Sequence, residues 1–253
     1  MEKVLLHTPE GVRDVYGKEC AVKLTIENSI NKVFNIYGYH NIQTPTFEFF
    51  DIFSKERGSV ASKNLYKFFD REGNTLVLRP DVTPSIARLV AKYYMDVKVP
   101  VKLCYNANTY INNSELQGKL KENTQLGCEL INDDSVEADA EILALVVDSL
   151  KAAGLKEFLV EIGHADFYKG LLEECGFDTE NEQELRKRIE NKNYFGVEEI
   201  LDNNNITGQL KEAFLKLPEL FGSIDVIKSA KDLTDNKKAL QSIERLEKLY
   251  SIL

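Results

Sequence analysis

Leu65-Tyr-Lys-Phe-Phe-Asp-Arg-Glu-Gly-Asn-Thr-Leu-Val-Leu-Arg-Pro-Asp-Val-Thr-Pro84 decides the fold class. The run from Lys67 to Leu78 places aromatic and aliphatic residues on both sides of Glu72-Gly73-Asn74, which predicts a hairpin turning at those three residues. Thr83-Pro84 then predicts a helix start, with Thr as N-cap and Pro at the first helical position. The helix it opens aligns Ile86, Leu89, Val90 and Tyr93. Strands joined by so short a turn are antiparallel, so the expected class is α+β, an antiparallel sheet flanked by helices, and not a doubly wound parallel sheet.

Working outward, Val22, Ile26, Ile30, Val33 and Tyr37 recur at steps of three and four and predict one apolar face of a helix over about 19–37, ended by Gly38. The aromatic-rich run from His40 to Phe53 reads as extended, and Pro45 within it places that strand at an edge or an interface. On the other side, two strands are expected at about 101–110 and 119–131, joined by the polar loop 111–118. Asp134 and Glu137 stand at capping-box spacing before a helix carrying Val136, Ala140, Leu143, Val147 and Leu150. A short buried strand at 158–162 and a helix over 164–175 follow. From about Asp178 the pattern changes to short charged helices, which divides the chain into 1–178 and a helical segment, 179–253.

The chain has 253 residues, 43% hydrophobic and 29% charged, the composition of an ordinary globular protein. A net charge of −9 argues against a general nucleic-acid binder, because that affinity comes from clustered Lys and Arg. Neither a signal peptide nor a membrane-spanning stretch is read, and a reduced, cytoplasmic location is expected. Cys20, Cys104, Cys128 and Cys175 form no C-x-x-C pair, and with three histidines no metal site is indicated. His164 is read as a structural or capping residue. There is no G-x-x-x-x-G-K or G-x-G-x-x-G loop, so no cofactor is expected.

Two elements carry candidate ligand contacts. In the strand from Lys119 to Ile131, alternation puts Lys119, Lys121, Asn123, Gln125 and Glu129 on one face and Leu120, Thr124, Leu126, Cys128 and Leu130 on the other. The polar face is either the solvent side of an antiparallel sheet or the wall of a site for a small polar ligand. Asp81 and Thr83, just before a helix, either cap it or meet a ligand ammonium group.

Together these segments resemble a known family. Tyr37-Gly-Tyr-His-Asn-Ile-Gln-Thr-Pro-Thr-Phe-Glu48 resembles motif 1 of class II aminoacyl-tRNA synthetases, the helix–strand unit at their dimer interface. Leu65 to Thr83 resembles the histidyl-specific hairpin with its L-R-P-[ED]-x-T signature, and Tyr105 to Glu129 resembles motif 2 with a Q-x-x-x-E pair. The resemblance implies that Asp81 and Thr83 meet the amino group of histidine, and that Gln125 and Glu129 contact its amino-group and imidazole region. It also implies departures. The motif 2 arginine that neutralises the ATP α-phosphate falls at Ile111, the adenine-stacking phenylalanine falls at Asn123, and Lys119 and Lys121 replace arginines. An aliphatic side chain offers none of the charge-assisted donors phosphate needs. Glu161-Ile-Gly-His-Ala-Asp-Phe-Tyr-Lys-Gly-Leu-Leu172 is closer to the ATP phosphoribosyltransferase regulatory subunits, non-catalytic relatives of histidyl-tRNA synthetase.

That resemblance implies a regulatory subunit that is not itself an enzyme, serves a short-form ATP phosphoribosyltransferase catalytic subunit in histidine biosynthesis, self-associates as a dimer and takes L-histidine as ligand. The alternatives are a histidyl-tRNA synthetase or a synthetase-like histidine-binding module with another partner. The sequence stops at Leu253, ahead of the family's second histidine motif and motif 3, so an incomplete sheet is expected.

Overall fold

The computed structural model describes residues 6–54, 60–113 and 118–253, with Ser54 described by its backbone alone; part of the loop expected at 111–118 lies outside them. The chain divides into two compact units, Met1–Asp134 with Glu141–Phe158, and Ser135–Ala140 with Leu159–Leu253.

The first unit begins with α1 (Gly17–Ile36). Gly38 takes φ 82°, and the amides of Gly38 and Tyr39 bond back to the carbonyls of Asn35 and Phe34, the two bonds of a Schellman ending. The buried face of α1 is not the expected one. Glu27 and Phe34 are buried and Ile30 and Tyr37 partly so, whereas Val22 and Ile26 remain 51% and 37% exposed. Apolar spacing leaves the choice between adjacent helix faces open, and here Glu27 is drawn to the sheet by Asn106, whose Nδ2 donates to it at 2.9 Å.

The run from 40 to 53 is not one strand. It splits into β1 (His40–Asn41), β2 (Phe47–Phe49) and the one-turn helix α2 (Asp51–Ser54). Pro45 lies between the two strands, and its carbonyl accepts from Arg79 Nη1 at 3.1 Å. The hairpin is present as β3 (Lys67–Phe69) and β4 (Thr75–Leu78). Its turn is held by Asp70, which accepts from the amides of Glu72 and Asn74 at 3.0 and 2.8 Å, with Gly73 at φ 86°. β2, β4 and β3 form one antiparallel sheet in that order.

Helix α3 (Thr83–Tyr93) follows, then β5 (Val101–Tyr110) and β6 (Glu122–Ile131), antiparallel from Val101↔Ile131 to Tyr110↔Glu122. β1 joins the free side of β5 in parallel, so this sheet is mixed where a purely antiparallel one was expected. The Ile111 amide donates to the Lys121 carbonyl, while the amides of Tyr110 and Asn112 point the other way, to Arg79 and Asn64. Odd-numbered β5 residues therefore form the hydrogen-bonded pairs with β6. One sheet face packs Val101, Leu103 and Tyr105 against Val82 and Ile86 of the α3 region. The other packs Cys104, Leu126, Cys128 and Leu130 against Phe34 and against Leu145 of α4 (Val136–Ala152). The alternation read along the strand thus places its apolar side correctly.

The second unit is helical: α5 (Ala165–Cys175), α6 (Thr179–Glu190), α7 (Tyr194–Asn203), α8 (Gly208–Lys216), α9 (Val226–Lys231) and α10 (Lys237–Ile252). They enclose Leu171, Leu185, Val197, Leu201, Ala213 and Phe214. α5 belongs here because Leu171 is part of this core, so packing parts the chain near 158–159 whereas composition changes at Asp178. The expected strand at 158–162 is irregular chain, with Leu159 81% exposed. The expected capping role of Asp134 is taken instead by Ser135, whose Oγ accepts from the Ala138 amide at 3.1 Å. His164 caps α5 through Nδ1, accepting from the Asp166 amide at 3.2 Å.

Candidate ligand site

Three of the four residues singled out in the sequence meet at the start of α3. Thr83 does not cap its helix: the N-cap residue is Val82, without a side-chain cap bond. The Thr83 hydroxyl donates instead to Glu129 Oε1 on β6 at 2.7 Å, a charge-assisted bond. Asp81 Oδ1 accepts from the Thr83 amide at 3.4 Å. The fourth residue, Gln125, is paired opposite Ala107 and shares the strand face of Glu129, four residues and about 13 Å along the strand.

Two residues of this site were not singled out in the sequence. Tyr105 is 4% exposed and stands opposite Gly127, midway between Gln125 and Glu129. A Cβ on Gly127 would lie 2.4 Å from the Tyr105 hydroxyl, so the phenol lies across bare backbone that only glycine leaves open. A lone glycine inside an otherwise regular strand was the available signal.

Burial holds the Glu129 carboxyl above the usual carboxylate range; the Thr83 hydrogen bond opposes that shift and the nearby Asp81 charge adds to it. Burial, followed by the charge of Glu129, pushes Tyr105 up to about 12. The same two influences push the Cys128 thiol up to about 11. The cluster is acidic, and its hydroxyl proton is already committed to Glu129. Such a site suits a ligand that brings positive charge and N–H donors.

A polar hollow of about 450 Å³ in the same unit is lined by Lys23, Glu27, Arg79, Asn106, Asn108 and others, but not by Asp81, Gln125 or Glu129. Its charged groups are engaged within the chain: Arg79 with the carbonyls of Thr44, Pro45 and Asn108, and Glu27 with Lys23 and Asn106. We therefore take the acidic cluster, and not the hollow, as the candidate site. Among the described residues no group of three or more His, Cys, Asp or Glu is placed to hold a metal ion. No described helix is long and apolar enough to cross a membrane.

Farther along the strand pair, at the end away from Glu129, Ile111 stands opposite Lys121, and the Asn123 amide donates to the Leu120 carbonyl at 3.3 Å. Lys121 folds its stem over Gly11, where a Cβ would come within 2.6 Å of its Cγ.

A long helix leading into a short strand, a hairpin, and a pair of long antiparallel strands bearing polar groups beside a helix start make a class II aminoacyl-tRNA synthetase fold. The family model described as histidyl-tRNA synthetase matches residues 11–253, and the chain belongs to that family. It is 46% identical over 253 residues to a Ruminiclostridium cellulolyticum protein named ATP phosphoribosyltransferase regulatory subunit, covering 100% of this chain and 60% of that one. An Acetivibrio thermocellus protein of the same name is 40% identical over 248 residues, covering 98% and 59%. Among solved structures, one from Bacillus halodurans C described as an ATP phosphoribosyltransferase regulatory subunit/histidyl-tRNA synthetase superposes with a TM-score of 0.89 at 35% identity, covering 98% and 65%. The histidyl-tRNA synthetase of Nostoc sp. PCC 7120, at 17% identity and a TM-score of 0.76 over 97% and 57%, shares the fold. The chain spans about three fifths of the length of the curated relatives it matches.

Proposed function

We propose that this chain belongs to a non-catalytic regulatory subunit that supports a short-form ATP phosphoribosyltransferase catalytic subunit and conveys histidine feedback to it. The observation that carries the reading is the 46% identity, over the whole chain, to a relative named for that role. The chemistry of the site agrees with it. Asp81, Thr83 and Glu129 form an acidic cluster fitted to the ammonium and imidazole groups of histidine, with Gln125 on the same face. At the positions where the family resemblance puts ATP contacts stand Ile111 and an Asn123 amide turned to Leu120. Loss of electrostatic stabilisation of that kind costs about two or more orders of magnitude in rate, which opposes an adenylating enzyme.

Self-association as a dimer belongs to the same reading. Val22, Ile26 and Ile36, which share one side of α1, and Phe47 and Phe49 of β2 are large apolar residues exposed in and beside the segment that resembles motif 1. Apolar residues gathered in this way mark an interaction surface.

The test is the activity of the cognate catalytic subunit with and without the full-length regulatory protein, across a histidine titration. Raised activity and acquired histidine sensitivity are expected; no change in either would sink the proposal. Histidine-dependent exchange of pyrophosphate into ATP by the protein alone would establish a synthetase instead.

A further inference from the structure

We infer that Cys104 and Cys128 form a modifiable pair, which a low-molecular-weight disulfide converts to a cross-strand disulfide between β5 and β6. The inference is independent of the function proposed above.

The fold makes the pair. The two cysteines stand 24 positions apart in sequence, but the strand register sets them directly opposite each other. Both lie on the apolar face of the sheet, in the cluster with Phe34, Tyr39 and Leu145. Odd-numbered β5 residues form the hydrogen-bonded pairs, so Cys104 and Cys128 occupy a non-hydrogen-bonded position. The Cα atoms of such a pair lie about 4.5 Å apart, and its side chains approach more closely than those of the alternate pairs. Disulfides take Cα separations of about 4.4–6.8 Å, so the position is in range, at the short end. The other cysteines are placed elsewhere, Cys20 on α1 and Cys175 against the core of the helical unit.

The two thiols are held differently in the reduced protein. Cys104 is fully buried, and its thiol donates to Asn41 Oδ1 at 3.6 Å, on the β1 side. Cys128 is less enclosed and is the first to react. Its thiolate attacks the small disulfide and expels one small thiolate, leaving a mixed disulfide on Cys128. The Cys104 sulfur, turned about its Cα–Cβ bond from Asn41 toward β6, then attacks the Cys128 sulfur as thiolate and expels the second. The two protons lost by the cysteines end on the two small thiols. One S–S bond is broken and one is formed, so the protein is oxidised and the small disulfide reduced.

Burial pushes both thiols up, Cys128 to about 11, where the charges of Glu129, Cys104 and Glu141 add to the shift. Glu141 is itself bonded to Tyr39 and Lys102. Thiolate is therefore scarce at neutral pH, and the exchange quickens as pH rises. The bond ties β5 to β6 one residue ahead of Glu129, so oxidation acts on the strand that bears the acidic cluster. Its short Cα separation leaves it strained and open to reduction by excess thiol.

The test is oxidation of the folded full chain with excess oxidised glutathione at mildly alkaline pH. Samples are quenched with acid at timed intervals, their remaining thiols alkylated, and their peptides mapped by mass spectrometry without reductant. A linked pair of peptides carrying Cys104 and Cys128 is expected, returned to free thiols by excess dithiothreitol, and formed about tenfold faster per pH unit below the thiol range. Cys104→Ser is expected to stop at the mixed disulfide on Cys128, and Cys128→Ser to leave Cys104 reduced. If either variant fails to fold, the wild-type chain decides alone. A wild-type chain that keeps both thiols, accumulates the mixed disulfide without closing it, or forms the link only in urea overturns the inference.

Discussion

Thr83 and Glu129, 46 residues apart in sequence, are joined by a 2.7 Å hydrogen bond that ties the first turn of α3 to β6. The bond spends a helix-start threonine on the sheet instead of on its own helix. A side chain used this way contributes to a site more than to local stability. Glu129 shows the cost, because burial and the Asp81 charge both disfavour its ionised form. An acid whose folded pKa is raised contributes stability that is fully present below its unfolded pKa and is lost as pH rises through the folded value. Glu129→Gln keeps an oxygen for Thr83 and removes the charge. The variant is therefore expected to unfold at a higher temperature than the wild type at neutral pH, to show a flatter stability profile between mildly acidic and neutral pH, and to lose histidine binding. Thermal scans at several pH values, with calorimetry at neutral pH, check all three.

Glu48 of β2 is 7% exposed, and its partner Arg88 of α3 reaches one carboxylate oxygen through both Nε and Nη2, at 3.1 and 2.7 Å. Removing the guanidinium leaves a buried charge without that compensation. Arg88→Ala is expected to destabilise the first unit by about 3 kcal/mol. Replacing both residues together, Glu48→Gln with Arg88→Met, is expected to cost clearly less than Arg88→Ala alone. Urea unfolding of the two variants separates the stranded charge from the value of the pair itself.

Local chemistry made much of the fold legible. The 72–74 turn, the helix opened by Thr83-Pro84 and the long strand pair each depend on residues adjacent in sequence, and all are present. What depends on a distant partner was not legible. Thr83 reads as an N-cap until β6 is placed beside it. Val22 and Ile26 read as core until Glu27 and Phe34 turn to the sheet. The apolar run at 158–162 reads as a strand, but no described strand pairs with it. Of the site, Asp81, Thr83 and Glu129 were visible as polar residues at structured positions. Tyr105 was hidden among apolar neighbours, and only Gly127 opposite it gave a sign.

The exposed side of α1 offers a check on self-association. Val22 is 51% exposed and shares one side of the helix with Ile26 and Ile36. Val22→Lys changes a half-exposed side chain outside the buried cluster that α1 contributes to, so an isolated chain should keep its helical signal. If this face joins two copies, the substitution is expected to shift sedimentation from dimer to monomer at micromolar concentration. A wild-type chain that sediments as a monomer in its full-length form would refute the dimer.

Gly170 of α5 sets two known effects against each other. In an exposed helix interior, glycine to alanine stabilises by about 1 kcal/mol through backbone entropy. Here a Cβ would lie 2.5 Å from Asn236 Oδ1 and 2.9 Å from the Ala239 amide nitrogen of α10. One of those atoms is backbone and cannot swing aside. The other is the N-cap of α10, accepting from the Ala239 amide at 3.0 Å, so displacing it forfeits a cap worth about 1 kcal/mol. Forcing α5 away from α10 adds the cost of overpacking, about 1–3 kcal/mol. The clash and the lost cap outweigh the propensity gain, and Gly170→Ala is expected to lower the stability of the helical unit by about 1–2 kcal/mol. Asn236→Ala measures the cap together with the bond that Asn236 Nδ2 donates to Glu174 at 2.8 Å, and a urea midpoint for Gly170→Ala below that of the wild type shows that close approach, not helix propensity, selected glycine at this position.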